Sequence, residues 1–483
     1  MVAPDYRPAS MPCMNPTRSF WIHSSPDVNP LACQGSEGPL TTDADICIIG
    51  SGITGVSVAY HLAVTAENQV IPDSPLRVVI LEAREFCGGA TGRNGGQLTP
   101  EYFFEFIERE ERYGVDEAIR SSAVEAYTTS SLIDIIERHG WTEDVDLVNG
   151  GHICLLSTQD QMKVLETDFE RAKSVGVDVA GVQWFTEEEV HRTFGTPYPA
   201  VKIPSWNLWP VKLVTKLYEL ALQRAGERFD LKLHTYTPVA SVEKLAQTTS
   251  GSDRAFVLST HRGSISCSHV VHATNGYASY LLPILTGPDG IVPSREHIVA
   301  MRASAGPEII GTNSWRGCQG IEYWLPRPLE PGQEHPLVIL GWGTELNVDD
   351  DSCINPTAVK HLKELLPTLF NGKYERTNKP EMEWTGIIGN TATTDPFVGP
   401  MMDFSTGDDT AYKGQYISAG YTGHGMPRAF ACGEVVAQMI VAKLCGNEWN
   451  CPIWFPKRYL TWNRIRQRTG PQSKIGPCVL TNL

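Results

Sequence analysis

Six residues, GSGITG at positions 50–55, constrain the fold of this chain more than any other segment. They follow the apolar run at residues 46–49, which is typical of a buried strand, and precede residues 56–66, whose apolar positions recur with helical spacing. A second apolar run, residues 78–81, ends at Glu82. The pattern predicts a strand, a helix and a second strand parallel to the first.

In that context each glycine of the turn has its own function. Gly50 permits the tight turn, Gly52 lets the backbone approach a pyrophosphate, and Gly55 lets the helix pack closely on the strand. The helix N-terminus then faces the phosphates, and Glu82 is placed to accept hydrogen bonds from the adenosine ribose. The alternative is a glycine turn without a ligand, and the motif alone does not separate FAD from NAD.

A second glycine-rich segment begins within a few residues of Glu82. Residues 88–97 read GGATGRNGGQ, which places five glycines in ten positions. Such a segment indicates a backbone pressed against a flat or phosphorylated ligand. A nicotinamide enzyme would continue here into another nucleotide-binding strand, so the segment favours FAD. The competing interpretation is a flexible surface loop.

The length of 483 residues exceeds a single hydrophobic core, which stops growing at roughly 250 to 300 residues. Parallel-type and antiparallel-type segments alternate along the chain, and this indicates two domains built from discontinuous pieces. The predicted division is an N-terminal arm at 1–42, a nucleotide-binding domain of 43–100, 205–290 and 385–460, a substrate domain of 101–204 and 291–384, and a C-terminal tail at 461–483. The predicted fold class is α/β, with a Rossmann-type domain and a second α+β domain on an antiparallel sheet.

Charge, cysteine usage and the N-terminal sequence limit the binding partners and the cellular location expected for this chain. Lys and Arg total 40 against 55 Asp and Glu, and the net charge of −15 disfavours nucleic acid and anionic membranes. The 12 cysteines are scattered without a C-x-x-C pair, which is typical of reduced thiols. The first 30 residues lack the apolar stretch of a signal peptide. We expect a cytoplasmic protein that binds neither nucleic acid nor membrane.

Four motifs together resemble the D-amino-acid oxidase-like family of FAD-dependent oxidoreductases, which includes glycine oxidase, sarcosine oxidase and gamma-glutamylputrescine oxidoreductase. They are DICIIGSGITG at 45–55, GATGRNGGQ at 89–97, ATNGYA at 273–278 and GYTGHGM at 420–426. With the segment SFWI at 19–22, the resemblance covers nearly the whole chain and is closest to the last group. It implies a Rossmann-type FAD domain of the GR2 type and FAD as the cofactor.

The resemblance also implies which residues bind FAD. Residues 50–55 would hold the pyrophosphate, Glu82 the ribose, Val239 the adenine, and residues 93–96 the flavin side, while the turn at 420–426 would cover the pyrimidine end of the isoalloxazine. The predicted cofactor-binding set is Gly50, Gly52, Ile53, Thr54, Gly55, Glu82, Ala83, Ala90, Thr91, Arg93, Asn94, Gly95, Gly96, Gln97, Val239, Thr274, Asn275, Gly276, Gly423, His424, Gly425 and Met426.

The last turn also has a physical rationale. A flavin that accepts a hydride gains negative charge at N1 and the C2 oxygen, where donors are needed. Residues 423–425 precede a helix, with Pro427 near its first turn, so amides and the helix dipole point toward that charge. His424 could add a donor, or be an ordinary turn histidine. Tyr421 and Trp342 would face an amine, with cation–π attraction of order 0.5 to 2 kcal/mol. His424, Tyr421 and Trp342 are thus the predicted catalytic residues.

Departures from the family pattern refine the prediction. Ile388 and Arg93 occupy the positions where relatives place the Cys or His that links the flavin, so FAD is predicted to bind non-covalently. The strand at 337–342 lacks the lysine that sarcosine oxidases use with oxygen. No metal site is predicted, because His269 and His272 would point to opposite faces of a strand.

The predicted function is oxidation of the C–N bond of an amine or amino acid to an imine, by hydride transfer to flavin N5 with O2 as the acceptor. In that reaction the cofactor accepts the hydride, and the protein orients the substrate and binds the cofactor. The predicted role of most motifs in FAD binding agrees with this division. Two alternatives stay open. One is a dehydrogenase with another electron acceptor, and the other is a flavin- or nucleotide-binding protein without turnover.

Overall fold

The computed structural model describes residues 6–68, 71, 75–224, 226–245, 254–318 and 320–464, without the side chain of residue 344. The strands are β1 Asp43–Ile49, β2 Leu76–Leu81, β3 Gln97–Leu98, β4 His152–Leu155, β5 Gln183–Phe185, β6 Ala200–Ile203, β7 Trp206–Asn207, β8 Phe229–His234, β9 Val239–Lys244, β10 Phe256–Thr260, β11 Gly263–His272, β12 Val292–Arg302, β13 Ser314–Arg316, β14 Glu322–Pro326, β15 Leu337–Leu346, β16 Met382–Asn390, β17 Phe397–Pro400 and β18 Gln415–Ala419. The helices are α1 Phe20–His23, α2 Ile53–Asn68, α3 Phe106–Tyr113, α4 Val115–Arg138, α5 Gln159–Ser174, α6 Glu187–Phe194, α7 Pro210–Gln223, α8 Ala278–Leu281, α9 Pro307–Ile310, α10 Pro356–Leu369 and α11 Ala429–Leu444.

The first sheet has the strand order β17-β18-β11-β1-β2-β8, and β10 and β9 extend it from β11. β1 pairs in parallel with β11 and β2, so that Ile46 lies opposite Val78. Ile46 and Ile48 pack into the core on one face of the sheet and Cys47 into the core on the other, which explains the continuous apolar run. α2 joins β1 to β2 and packs against α7 and α11. The predicted strand, helix, strand unit is confirmed.

The second sheet has the order β16-β12-β15-β14-β13-β4-β6-β5. Its neighbours are antiparallel, except that β13 and β4 are parallel. α10 packs on β12 and β15, and the core beneath contains the stacked rings of Trp315 and Trp324, whose centroids lie 5.7 Å apart. The predicted α/β fold class is confirmed.

The division of the chain into domains stays a prediction, although the two sheets draw their strands from the predicted pieces with one difference. β16 crosses the predicted boundary at residue 385 and lies wholly in the second sheet, where Ile388 is opposite Ser294 of β12. The ladder runs on through Gly386, which pairs with Glu296 of β12. Of the predicted tail, residues 465–483 lie outside the described residues.

The N-terminal arm packs beneath the second glycine-rich segment. Trp21 is fully buried, and its indole nitrogen donates a hydrogen bond of 2.6 Å to the backbone oxygen of Asn94. The indole of Trp209 donates to the backbone oxygen of Trp21 at 2.9 Å, and the guanidinium of Arg327 lies 5.0 Å from the Trp21 ring. A Cβ added at Gly96 would lie 2.8 Å from that ring. The arm therefore fixes the backbone path of the glycine-rich segment.

No helix in the described part of the chain combines the length and apolar character needed to cross a membrane. The described cysteines are free thiols, and Cys47, Cys87 and Cys154 are buried.

Replacing Trp21 by alanine tests the structural role of the arm. We expect a loss of about 3 to 5 kcal/mol in the free energy of unfolding, because removal of the fully buried indole leaves a cavity and takes away the donor of the hydrogen bond to the oxygen of Asn94. Urea unfolding followed by tryptophan fluorescence and circular dichroism measures the change. Ile453→Ala is the control, since that side chain is 86% exposed. Equal unfolding midpoints for Trp21→Ala and wild type would contradict this role.

Candidate cofactor and substrate site

A cavity of about 1110 Å³ is lined by residues of both sheets. Ile49 and Leu81 contribute from the carboxyl ends of β1 and β2, while Glu296, Tyr323 and Ile388 contribute from the second sheet. The ends of parallel strands at such a crevice are where nucleotide ligands bind in open α/β sheets. The volume exceeds that of a typical small-molecule pocket, so the cavity can hold a dinucleotide together with a substrate.

The glycines of the first motif act at close approaches of the backbone. Gly50 has φ +109°, and an added Cβ there would lie 2.6 Å from the backbone oxygen of Ala273. A Cβ at Gly55 would lie 2.0 Å from the oxygen of Gly50, so α2 begins directly against the turn. The amide of Gly52 faces no hydrogen-bond acceptor in the described part of the chain. That free donor suits a phosphate oxygen.

Glu82 is held firmly at the end of β2 and is 8% exposed. Its Oε2 accepts hydrogen bonds from the amide and the hydroxyl of Ser51, at 2.9 and 2.7 Å. Its Oε1 accepts from the amide of Arg84 at 3.1 Å. A carboxylate offers about four acceptor positions, so the two oxygens retain capacity for a ribose hydroxyl.

Five side chains that line the cavity carry buried polar atoms without a hydrogen-bond partner among the described residues. They are Nη2 of Arg93, Nε2 of Gln97, Oγ1 of Thr274, the hydroxyl of Tyr277 and Oε2 of Glu322. Leaving such a buried group unpaired costs roughly 1 to 3 kcal/mol. Two of the five are pure donors and two are hydroxyls that can donate, so the cavity fits a bound group rich in acceptors, as the phosphates and the isoalloxazine of FAD are.

The structure brings nearly all the predicted site residues to this one cavity. Every residue of the predicted cofactor-binding set lines it except Gly55, which packs behind the turn. His424 and Tyr421 line it as well. Trp342 does not line the cavity, and its catalytic role stays a prediction. Neighbouring residues of a strand point to opposite faces, and its ring packs against His361 with 4.5 Å between ring centroids.

Tyr421 fastens the last turn to the first motif. Its hydroxyl lies 2.7 Å from the hydroxyl of Ser418 and accepts a hydrogen bond of 3.2 Å from Thr54 at the start of α2. Burial raises the pKa of this phenol, so it stays neutral. The amide of Thr422 donates to the oxygen of Gly389 at 2.8 Å, which joins the turn to β16 as well.

His424 is oriented by a buried carboxylate on α4. Its Nε2 lies 3.0 Å from Glu125, which also accepts a bond of 2.7 Å from Arg428 and one of 2.6 Å from the amide of Glu101. Burial raises the pKa of Glu125, but the charges of His424 and Arg428 outweigh burial and hold it below its usual range. Glu125 is 1% exposed and ionised. It accepts from Nε2–H of His424 and so fixes the orientation of the ring.

No sequence motif singled out Glu125. A signal for it exists in the helical pattern, because Glu125 falls on the inward face of α4 together with Ala118, Ser122 and Leu132. A charged residue on such a face calls for a buried partner. The partner could not be named without the fold, since Arg428 lies about three hundred positions further along the chain.

Glu101, Glu125 and His424 bring possible metal-ligand atoms within 4.8 Å of one another. Arginines already neutralise this group, however, since Arg109 and Arg316 lie 3.5 and 3.7 Å from Glu101. Arg428 and His424 occupy the two oxygens of Glu125. A cation would meet these positive charges, so the arrangement is better described as an ion-pair network.

Comparison with known families gives one match over most of the chain. The profile of the family described as DAO, FAD dependent oxidoreductase, matches residues 45–439. Probable oxidoreductase OrdL of Rhizobium meliloti (strain 1021) is 24% identical over 413 residues, which cover 84% of this chain and 85% of the relative. Gamma-glutamylputrescine oxidoreductase of Escherichia coli (strain K12) is 22% identical over 415 residues, which cover 82% and 83%.

Solved structures share the fold at lower identity. Glycine oxidase from Geobacillus kaustophilus superposes with a TM-score of 0.65 and 19% identity, over 87% of this chain and 99% of that one. L-proline dehydrogenase from P. horikoshii gives a TM-score of 0.64 and 18% identity, over 87% and 98%. These similarities establish the architecture that surrounds the cavity.

Replacing Glu82 by alanine tests the nucleotide end of the site. We expect FAD to bind more weakly by roughly 1 to 3 kcal/mol, because ribose hydroxyls and the Ser51 amide would lose their acceptor. Quenching of flavin fluorescence on titration into apoprotein measures the affinity. Glu85→Ala is the matched control, since Glu85 lies just beyond Glu82 but does not line the cavity. Equal affinity for Glu82→Ala and wild type would contradict the assignment.

Proposed function

The chain belongs to the DAO family of FAD-dependent oxidoreductases, and we propose that it oxidises the C–N bond of a small amine or amino acid to an imine. Its relatives place it among enzymes of the amine or amino-acid oxidase type. The observation that carries the proposal is one cavity in which the nucleotide-binding glycines, the free buried donors and the turn at 420–426 meet. FAD, when bound, supplies the hydride acceptor at N5.

The turn at 420–426 is built to present donors. Its path is fixed because the amide of Gly420 donates to Asn275 Oδ1 at 3.0 Å. Among the described residues, the amides of Gly423 and Gly425 have no acceptor, and both glycines line the cavity. The amide of His424 differs from expectation, because it donates to the oxygen of Tyr421 at 3.0 Å. Two amides are therefore available to a developing negative charge.

Substrate orientation is the other task of the protein. The cavity walls beyond the turn carry paired charges, such as Arg109 with Glu105 at 3.1 Å, and the apolar side chains of Phe104 and Ile203. Fixed walls of this kind hold a substrate carbon in one orientation and exclude water. Such orientation of the reacting groups accounts for much of the rate enhancement in enzymes. We propose O2 as the electron acceptor and a cytoplasmic location.

Anaerobic titration of the FAD-loaded protein with a panel of amines and amino acids tests the proposal. We expect at least one of them to bleach the flavin absorbance, and air to restore it. Recovery that needs an added dye in place of air would favour the dehydrogenase alternative. Absence of bleaching by every member, with bleaching by dithionite intact, would favour a flavin-binding protein without turnover.

Acid precipitation tests the predicted non-covalent attachment. Ile388 lines the cavity at the position where relatives carry a linking cysteine, and Arg93 is occupied by hydrogen bonds to the oxygens of Gly88 and Thr385 at 3.0 and 2.9 Å. We expect the yellow colour to remain in the supernatant after trichloroacetic acid treatment.

Colour in the pellet would contradict that prediction and would point to Cys154. It is the one cysteine among the described residues that lines the cavity. Cys87 and Cys318 do not line it. Burial raises the pKa of Cys154 to about 12, so its thiol is a weak nucleophile. Cys154→Ser would then release the colour.

His424→Ala tests the function of the last turn. We expect a lower limiting rate of anaerobic flavin reduction with a nearly unchanged substrate dissociation constant, because the donor acts on charge that develops during the reaction. The loss should be at or below about 2.7 to 4 kcal/mol, since backbone donors remain. Glu125→Gln, which loosens His424 while preserving shape, should shift the rate in the same direction. Weaker binding at an intact limiting rate would place His424 in the substrate pocket instead.

A further inference from the structure

Glu296 stands on β12 and faces the cavity. It is half-buried, and its register partner on β16 is Gly386, which has no side chain to cover it. Tyr323, from β14, donates a hydrogen bond to the carboxyl group. A carboxyl group and a phenol hydroxyl therefore share one wall of the cavity.

The position of Tyr323 places this pair near the second glycine-rich segment. An added Cβ at Gly95 would lie 2.4 Å from Cε2 of Tyr323, and one at Gly341 would lie 2.1 Å from its Cζ. The ring thus fills the space between two glycines. Because Gly95 belongs to the segment predicted to face the flavin, Glu296 and Tyr323 lie toward the flavin end of the cavity and away from the turn at Gly50.

The other charged side chains lining the cavity have an ion-pair partner, except Glu82, whose oxygens accept from Ser51 and from the amide of Arg84. Each arginine that lines it has a carboxylate within 4.0 Å: Arg84 and Arg93 with Asp351, Arg109 with Glu105, Arg316 with Glu101, and Arg428 with Glu125. Glu322 pairs with His361 at 3.3 Å. Glu296, by contrast, has no Lys, Arg or His within 4.0 Å among the residues that the structure describes.

A carboxyl group in this setting favours a cationic ligand. Burial raises the pKa of Glu296 to about 7, and the hydrogen bond from Tyr323 opposes part of the rise. An ammonium group would restore the solvation that burial removes, through a charge-assisted hydrogen bond. A substrate carboxylate at the same place would meet a like charge.

We propose that Glu296, with Tyr323 beside it, binds the ammonium group of the substrate, so that the site selects amines without a neighbouring carboxylate over α-amino acids. This inference rests on the proposed function, since it names the substrate class of the same site. Glu296 would recognise the cationic end of the substrate. The nitrogen would then be held at the flavin end of the cavity, which is where the C–N bond must lie.

Isothermal titration calorimetry on the FAD-loaded protein tests the proposal with two probes of equal chain length, n-pentylamine and pentanoate, at about pH 8, where the amine is cationic and Glu296 is ionised. Wild type should bind pentylamine roughly tenfold or more tightly than pentanoate. Glu296→Gln should lose most of that preference through weaker amine binding. Glu296→Asp, which retains the charge, should keep part of it. Glu383→Gln on β16 is the control, because Glu383 does not line the cavity.

Several results would overturn the proposal: equal pentylamine affinity in Glu296→Gln and wild type, tighter binding of pentanoate by wild type, or no binding of either probe. The flavin absorbance and thermal midpoint of each variant verify that it is folded and loaded. If amines reduce the flavin but Glu296→Gln binds pentylamine normally, Glu296 is excluded and the proposed function stands. If the amine binds through Glu296 but no amine reduces the flavin, the cation site stands and the proposed function fails.

Discussion

Close approach of backbone segments that carry no side chain is the constraint on which the rest of the structure depends. At Gly55 an added Cβ would lie 2.0 Å from the oxygen of Gly50, and at Gly276 it would lie 2.6 Å from the oxygen of Ile388. The first contact packs α2 against the turn after β1, and the second joins the two sheets. A side chain at either place would force these elements apart. These close approaches at glycine bring together the elements that form the cavity walls.

Charge is distributed over the cavity in two different ways. Around His424, Glu125 and Arg428 form a closed network in which both oxygens of Glu125 accept hydrogen bonds, and this holds the turn rigid before any ligand binds. Glu296 is left with a hydroxyl as its partner. A closed network positions groups without reorganisation during the reaction. A carboxyl group without a cationic partner instead favours binding of a ligand of opposite charge.

Local sequence was sufficient to predict the secondary structure at one end of the cavity. The strand, turn and helix around Gly50 depend on neighbours within about twenty residues, and Glu82 follows from the next strand. Residues that depend on tertiary contacts were beyond such reasoning. Glu125 meets the last turn only because α4 crosses it, and Glu296 is exposed to the cavity only through the register of β12 with β16. Spacing along a strand predicts alternation but not which face is inward, so it could not show that Trp342 lies outside the cavity lining.

We propose that one cavity holds FAD, with its isoalloxazine between the second glycine-rich segment and the turn at 420–426. An experimental structure of the FAD-loaded protein tests it most directly. We expect the pyrophosphate on the amide of Gly52, the adenosine ribose on Glu82, and the pyrimidine edge of the isoalloxazine facing the amides of Gly423 and Gly425. A flavin ring bound outside this cavity, or one whose pyrimidine edge faces away from that turn, would contradict the account.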